Sequence, residues 1–250
     1  MKNFPQTLKS FDAISLDEMN KVKLLDRVDR KYVFHSKMLS GILAELQKDY
    51  FVLEINGKNF AAYQTIYFDT PEYEMYTQHH NGKLNRYKVR FRTYVDSNLS
   101  FFEIKFKTNK GRTLKSRMKT KSTDFAIENE FEDFLELKTK YKASMLVPAL
   151  QINYNRITLV NRNKTERLTI DLMLEYTTNE KNINFPSMII AEVKQDKSKG
   201  SPFINLMQQE RVNNISLSKY CMGISSTVKD VKHNNFKTKK RYVNKQFPTN

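Results

Sequence analysis

Hydrophobic and polar residues alternate along much of the chain, and this alternation predicts a protein built mainly from β-strands. Successive side chains of a strand point to opposite faces, so a strand with one buried face shows a period of two. Residues 86–94 (RYKVRFRTY) show it most clearly, because Arg86, Lys88, Arg90 and Arg92 occupy every second position. The same alternation predicts further strands at 27–34, 63–68, 100–107, 113–119, 150–160, 166–174 and 188–194.

Five other segments are predicted to be helices. Apolar residues three or four positions apart predict helices at 37–48 and 124–140. A third starts at Thr70-Pro71 as N-cap and first turn and stops at Gly82, and two more fit 202–210 and 218–227. Strands and helices do not alternate regularly, which argues against a doubly wound parallel sheet. The order predicts an α+β fold, in which an antiparallel sheet has helices packed outside it. We expect one domain over residues 1–228, followed by a flexible basic tail over 229–250.

The polar faces of the predicted strands are charged, whereas their opposite faces are apolar. The charged positions are Arg27, Asp29 and Lys31; Glu103, Lys105 and Lys107; Lys115, Arg117 and Lys119; Arg167 and Asp171; and Glu192 and Lys194. Like charges two residues apart on a strand lie roughly 7 Å from each other and repel by about 2 kcal/mol at an effective dielectric of 20. A solvated outer surface is one interpretation of each strand. If the sheet closes into a barrel, every charged face instead points into one basic lumen.

The composition favours a polyanionic partner. The chain has 250 residues with 43 Lys+Arg against 27 Asp+Glu, and thus a formal net charge of +16. The single cysteine, Cys221, and the four histidines form no zinc pattern. The sequence has no run of about 20 apolar residues that could cross a membrane, and no signal peptide. We therefore expect a cytoplasmic protein.

A metal-bound tri- or polyphosphate matches a basic lumen that also contains a few acids, because Mg²⁺ and Mn²⁺ prefer carboxylate oxygens and arginine pairs with phosphate. No P-loop motif occurs, so side chains must hold the phosphate. Nucleic acid is the competing polyanion. Phe91, Phe102 and Phe106 lie on the faces opposite the charges, which disfavours base stacking, although Tyr87 and Tyr94 leave that alternative open.

Nine short motifs occur in the order found in a known family. They are DRKY (29–32), YFDT (67–70), KVRFR (88–92), FEIK (102–105), GRTLKSR (111–117), INYNR (152–156), RLTID (167–171), AEVK (191–194) and SKYCMG (218–223). On these motifs the chain resembles the VTC (vacuolar transporter chaperone) catalytic domain. That domain is the polyphosphate polymerase domain of the triphosphate tunnel metalloenzyme superfamily. The resemblance implies an antiparallel barrel whose tunnel binds triphosphate.

The resemblance also implies an activity, which is transfer of the ATP γ-phosphate onto polyphosphate with Mn²⁺ or Mg²⁺. The implied ligands are ATP, triphosphate or polyphosphate, and orthophosphate. The implied catalytic residues are Lys31, Arg90, Arg92, Lys105, Arg156, Arg167 and Lys219; further phosphate-binding residues are Arg112, Lys115, Arg117 and Lys194; and the metal ligand is Glu192.

Several alternatives stay open at this point. Ser216 occupies the position of a family lysine that precedes the SKY lysine by three residues. Asp29 and Asp171 could each bind metal or pair with neighbouring bases. The acceptor could be water, which would make the protein a tri- or polyphosphate phosphohydrolase. A non-catalytic polyphosphate or RNA binder would use the same charged faces.

Overall fold

A computed structural model of the chain describes residues 4–21, 27–120, 125–196 and 200–249, with Arg27 and Asp196 described by their backbone alone. The helices are α1 (Phe4–Leu8), α2 (Leu16–Asn20), α3 (Leu39–Leu46), α4 (Glu74–His80), α5 (Glu130–Lys138), α6 (Pro202–Gln209), α7 (Lys219–Thr227) and α8 (Lys237–Gln246). The strands are β1 (Ala13–Ile14), β2 (Arg27–His35), β3 (Tyr50–Leu53), β4 (Phe60–Asp69), β5 (Arg86–Tyr94), β6 (Leu99–Lys107), β7 (Thr113–Thr120), β8 (Val147–Asn161), β9 (Glu166–Thr177), β10 (Asn182–Phe185) and β11 (Met188–Asp196). All the predicted strands are confirmed. All five helices are present, but α4 begins at Glu74 and not at the predicted Thr70-Pro71 N-cap, and α5 begins at Glu130. The predicted start of α5 at residue 124 lies outside the described residues.

The strands form one sheet in the order β2-β11-β9-β8-β4-β5-β6-β7, and every pair of neighbours in this order is antiparallel. Three short strands extend it: β3 pairs with β8, β10 pairs with β9, and β1 lies parallel to β3. The α+β class is confirmed. Within the described ranges no backbone pairing joins β2 to β7, so closure of this antiparallel sheet into a barrel stays a prediction.

The apolar face of the sheet holds two hydrophobic cores. Over β2, β11, β9 and β8 the core is closed by α1, α3 and α6, which contribute Leu43 and Phe203 among others. Over β5 and β6 the core is closed by α5, where Phe131 packs against the rings of Phe91 and Phe102. Each fully buried apolar side chain of this size contributes roughly 1.5–3 kcal/mol, so this face supplies much of the stability of the fold.

Helix α7 lies on the opposite, charged face of the sheet. The ring of Tyr220 stacks on that of Tyr67 at 4.9 Å between centroids. Gly223 passes so close to β8 and β9 that a Cβ there would overlap Leu150 and lie 2.7 Å from Tyr176. Helices therefore pack on the apolar face, as predicted, but α7 does not. It is buried almost all round, so its sequence pattern does not say which face of the sheet it covers.

A buried carboxylate ties α4 and α7 to the end of β4. Asp69 accepts hydrogen bonds from the backbone N–H groups of Thr70, Met75 and Tyr76, and from the hydroxyl of Tyr220. Burial raises the pKa of Asp69, and these donors oppose that shift. Asp69 of the YFDT motif thus holds the N-terminal end of α7 on the charged face through its hydrogen bond with Tyr220.

The C-terminal segment differs from the predicted flexible tail, because residues 237–246 form α8. Phe236, Val243 and Phe247 follow a helical spacing, and Val243 and Phe247 are buried against the core beneath α7. The Tyr76 hydroxyl donates to the backbone carbonyl of Lys232 and holds the segment from the other side. Seven basic residues in 229–245 hide this apolar spacing in the sequence. None of the helices in the described ranges is long and apolar enough to span a membrane.

Candidate functional site

The register of the sheet collects the predicted basic residues on the charged face. Directly opposite pairs on neighbouring strands share a face. The opposed pairs are Lys31–Glu192, Lys194–Arg167, Arg156–Asp171, Arg90–Glu103, Lys88–Lys105 and Lys105–Lys115. Tyr154, two residues before Arg156 on β8, lies on this face by the same alternation, and its ring stacks on that of Tyr63. The site is thus a band of charged side chains on β2, β11, β9 and β8 and again on β5, β6 and β7, interrupted at β4 by Tyr63, Thr65 and Tyr67.

Glu103 is the centre of a first ion-pair cluster. It is 1% exposed and accepts two hydrogen bonds from Arg90, at 2.8 Å from Nε and 2.5 Å from Nη2, and Lys115 pairs with its other oxygen. Arg90 also donates to the Tyr67 hydroxyl at 2.9 Å. Burial alone would raise the pKa of Glu103, but Arg90, Arg92 and Lys115 hold it well below its usual range. Arg90 is therefore a fixed charge in a closed network.

Asp171 is the centre of a second cluster. Arg156 binds it through both Nε and Nη2, at 2.6 and 2.8 Å, and Lys219 at the start of α7 pairs with the same carboxylate. Lys219 also lies over the Tyr154 ring at 5.1 Å. Both oxygens of Asp171 accept from bases, which favours the ion-pair interpretation of this residue. This ion pair anchors α7 to the sheet.

The third cluster joins β2 and β11. Lys194 pairs with Glu192 and lies 3.2 Å from an oxygen of Asp29. Burial would raise the pKa of Glu192, but Lys194, Lys31 and Lys219 lower it well below its usual range. Glu192 is therefore a carboxylate at neutral pH, with a second carboxylate close by.

Three basic side chains of the charged face form no ion pair in the part of the chain that the structure describes. The Nε of Arg92 is buried without a hydrogen bond. Lys88 donates only to the Ser218 hydroxyl, at 2.9 Å, and burial lowers its pKa. Arg90, together with burial and Arg92, lowers the pKa of Lys105 to about 6. The face therefore holds more positive charge than its acids neutralise.

The charged face curves strongly. Four strands separate β2 from β5 along the sheet, yet Lys31 of β2 lowers the pKa of Lys88 of β5. After burial, Lys88 is the largest contributor to the lowered pKa of His79, about 3, and Lys31 also contributes. Side chains from distant strands therefore face one another across a common space, and His79 is neutral within it.

Not every predicted residue reaches this space. Arg112 is exposed in the turn between β6 and β7. Arg117 is exposed and lies over the ring of Phe101 at 4.8 Å. Arg167, by contrast, lies on the charged face opposite Lys194, and it donates to the backbone carbonyl of Met19. Lys88 was not among the predicted site residues, although it shares the alternation of Arg90 and Arg92.

Divalent metal fits this face in one mode only. The described residues contain no group of three or more His, Cys, Asp or Glu side chains that could hold an ion by themselves. Mg²⁺ and similar ions commonly use one or two carboxylates, with waters and substrate phosphates in the remaining positions. Glu192 and Asp29, which both meet Lys194, supply such a pair of carboxylates.

Comparisons with known proteins agree with this geometry. The family model described as VTC domain matches residues 26–228. No curated protein sequence matches the chain. The fold is similar to that of HpAC1 from Hippeastrum, described as a putative adenylyl cyclase with a dominant triphosphatase activity. The TM-score is 0.52 and the identity 10%, over 83% of this chain and 100% of that one.

Two further structures are more distant. They are a conserved hypothetical protein from Pyrococcus furiosus and the PH1012 protein from Pyrococcus horikoshii OT3. Both are 11% identical to this chain, with TM-scores of 0.40 and 0.38. They cover 75% and 74% of this chain, and 95% and 94% of their own.

Proposed function

The chain belongs to the VTC domain family, and from that premise we propose that it moves the γ-phosphate of ATP onto a polyphosphate chain. The observation that carries this proposal is the set of three basic side chains, Arg92, Lys105 and Lys88, that form no ion pair among the described residues. A phosphate chain supplies closely spaced anionic oxygens that would pair with all three. Arginine suits this task because its planar donors match phosphate oxygens.

Phosphoryl transfer needs positioning and charge neutralisation more than covalent help from the protein. Arg92 and Lys105 would grip the reacting phosphates, while Arg90 and Arg156 would add charges held rigid by Glu103 and Asp171. The remaining assignments follow the family motifs: Lys31, Arg167 and Lys219 would steady terminal phosphates, and Lys115, Arg117 and Lys194 would flank them. Arg112, in its exposed turn, would act on polymer outside the main band.

Glu192 would hold a divalent ion, Mn²⁺ or Mg²⁺, with Asp29 as its neighbour. When bound, such an ion neutralises phosphate charge and orients the reacting oxygens. Lys194 would then release Glu192 and turn to phosphate. The strong curvature across Lys31 and Lys88 supports a lumen closed into a tunnel barrel around these groups.

Hydrolysis of tri- or polyphosphate is the second candidate. It is favoured by the similarity of the fold to HpAC1, whose description names a triphosphatase activity. Both reactions need the same cations and metal, and they differ only in whether a phosphate chain or water is the acceptor.

The deciding experiment is incubation of the purified protein with ATP and Mn²⁺, followed by separate assays of polyphosphate, ADP and orthophosphate. We expect polyphosphate and ADP to accumulate together. Orthophosphate without polymer would assign the protein as a phosphohydrolase, and no turnover of either kind would favour a non-catalytic polyphosphate or RNA binder.

The metal role is tested with Glu192→Gln, which keeps the size of the side chain but removes its charge. We expect turnover to fall by roughly 100-fold or more, while metal-free tripolyphosphate binding survives. Glu136→Gln, on the exposed side of α5, is the matched control and should change neither. Normal, metal-dependent turnover in Glu192→Gln would mean that the ion binds elsewhere.

A further inference from the structure

An aromatic pocket lies at one end of the charged face, beside the start of β4, the end of β5 and the second half of β8. Its walls include Tyr63, Tyr94, Arg156 and Thr158, and its rim is the segment from Leu53 to Ala61. Ala61 and Tyr63 lie opposite Arg156 and Tyr154 on β8, so the pocket opens on the same face as the cations. It is continuous with the proposed phosphate site through Arg156.

Tyr63 and Tyr94 form the floor of this pocket, and Tyr154 supports Tyr63 without lining it. The ring of Tyr63 stacks on Tyr154 with centroids 5.2 Å apart and planes 15° from parallel, and it meets Tyr94 at 4.8 Å. Burial raises the pKa of Tyr63, so its phenol stays neutral. Tyr94 is half-buried and keeps part of its surface open to the pocket. A flat aromatic ligand therefore finds a π surface of matching shape there.

Positive charge reaches into the same floor. The guanidinium carbon of Arg156 lies 5.0 Å from the centroid of the Tyr63 ring, and that of Arg92 lies 5.8 Å from it. Asp171 neutralises Arg156, whereas Arg92 has no acidic partner in the described part of the chain. An anionic group attached to a ligand in the pocket would therefore meet Arg92 first.

The rim is polar and fixed in place. Lys58 and Asp96 form a 2.5 Å ion pair, and Asp96 also accepts from the backbone N–H of Ala62. Between Ile55 and Lys58 the chain turns sharply through Asn56 and Gly57, both in the left-handed region. Asn56 is exposed at the rim, where its amide can donate to and accept from the edge of a heterocycle.

We propose that this pocket binds the base of a nucleoside triphosphate whose phosphates run inward along β5. The inference rests on the proposed function and identifies where its donor is held. Tyr94, Arg92, Arg90 and Lys88 follow one another on the same face of β5, roughly 7 Å apart from each to the next. A base stacked at Tyr94 thus places its first phosphates at Arg92 and its last ones toward Lys88. An inorganic phosphate chain has no group that would use the tyrosines.

The test compares ATP with tripolyphosphate, which shares the phosphates but lacks the base. Both affinities are measured by calorimetry without metal, for the full chain and for Tyr94→Ala. Removing one stacking ring typically weakens base binding by about 5- to 150-fold. We expect the Kd of ATP to rise about 10-fold or more in Tyr94→Ala, while that of tripolyphosphate stays within 2-fold. Tyr94→Phe should restore ATP binding, since it keeps the ring.

Tyr242→Ala is the matched control, because Tyr242 is exposed on α8, away from the pocket. Equal weakening of ATP and tripolyphosphate by Tyr94→Ala, or no change in either, would overturn the base pocket and leave the proposed phosphate site intact. Failure of the unaltered protein to bind tripolyphosphate at all would overturn the proposed function as well, so the two failures are distinguishable.

Discussion

On β5 and β6, residues that form the hydrophobic core alternate with residues of the charged face. On one face Val89, Phe91, Phe102 and Ile104 are all buried in a single hydrophobic core with α5. On the other face, one residue away in each case, lie Arg90, Arg92, Glu103 and Lys105. The apolar face is complete without any ligand. The charged face is not, because its bases outnumber its acids.

Substitutions on the two faces should therefore have different consequences, one for stability and the other for ligand binding and turnover. A change on the apolar face removes contacts that the folded state needs in every condition. A change at an unpaired cation of the charged face removes repulsion from the free protein and removes attraction only when an anion is present.

Phe91→Ala should lower the free energy of unfolding by about 3–5 kcal/mol, because it leaves a cavity among packed rings. The Phe91 ring is fully buried and contacts Phe68, Phe102 and Phe131. Urea unfolding measures the effect. Leu137→Ala, on the exposed side of α5, is the control and should change stability by less than about 0.5 kcal/mol. A small loss for Phe91→Ala would show that this core does not support the sheet.

Arg92→Ala should reduce turnover by roughly 100-fold or more, since an unpaired cation that stabilises transition-state charge is lost. The melting temperature of the free protein should stay equal or rise. Arg90→Ala is the informative comparison, because it leaves the buried Glu103 and the Tyr67 hydroxyl without a donor. It should also lower stability by about 1–3 kcal/mol. Destabilisation by Arg92→Ala with normal turnover would contradict the assignment.

The smallest expected effect concerns Lys105 and is a change in the number of protons taken up when a polyanion binds. Its pKa of about 6 leaves the amine mostly neutral at pH 7.5, and a bound polyanion should raise that pKa. Tripolyphosphate binding at pH 7.5 should therefore take up a fraction of a proton that Lys105→Met does not take up. Calorimetry in two buffers of different ionisation enthalpy measures this fraction. The same uptake in Lys105→Met would assign the proton to the ligand or to another group.

Lys105 also sets the sign of a pH effect on stability. Its pKa in the folded state lies below the ordinary 10.5, so between about pH 6 and 10.5 the unfolded chain binds more protons. Stability from this group therefore rises with pH in that window and is lowest below pH 6. The advantage of Lys105→Met over the unaltered protein in melting temperature should accordingly grow as pH falls from 9 to 6.

The sequence predicts the charged face well because strand alternation is a local property. Arg90, Arg92 and Lys105 are placed correctly from neighbours two residues away. The family resemblance drawn from nine short motifs is also confirmed, by the match over residues 26–228. Ion pairs depend on contacts between strands and cannot be predicted from neighbours in the sequence. Arg90 pairs with Glu103 and Arg92 forms no such pair, although both arginines lie in the same alternating run on β5.

The features that could not be predicted depend on contacts between distant segments. Helix α7 has apolar residues on several sides, so only its contacts with Tyr67, Leu150 and Tyr176 reveal that it covers the charged face. The contacts of the Tyr63 ring with Tyr94 and with Tyr154 depend on the registers of β4 with β5 and with β8. Met173 adopts a left-handed conformation that shifts the pairing of β8 with β9, and no signal in its sequence marks that bulge.

Helix α8 decides how far the chain can be shortened. A truncation after residue 228, where the family match ends, would remove Val243 and Phe247 from the core beneath α7. It would also remove Phe236 from the ring of Tyr76 and expose an apolar surface. The truncated protein would be prone to aggregate, and its lost activity would be mistaken for a missing regulatory tail. Work on the minimal enzyme should therefore retain the chain through Phe247.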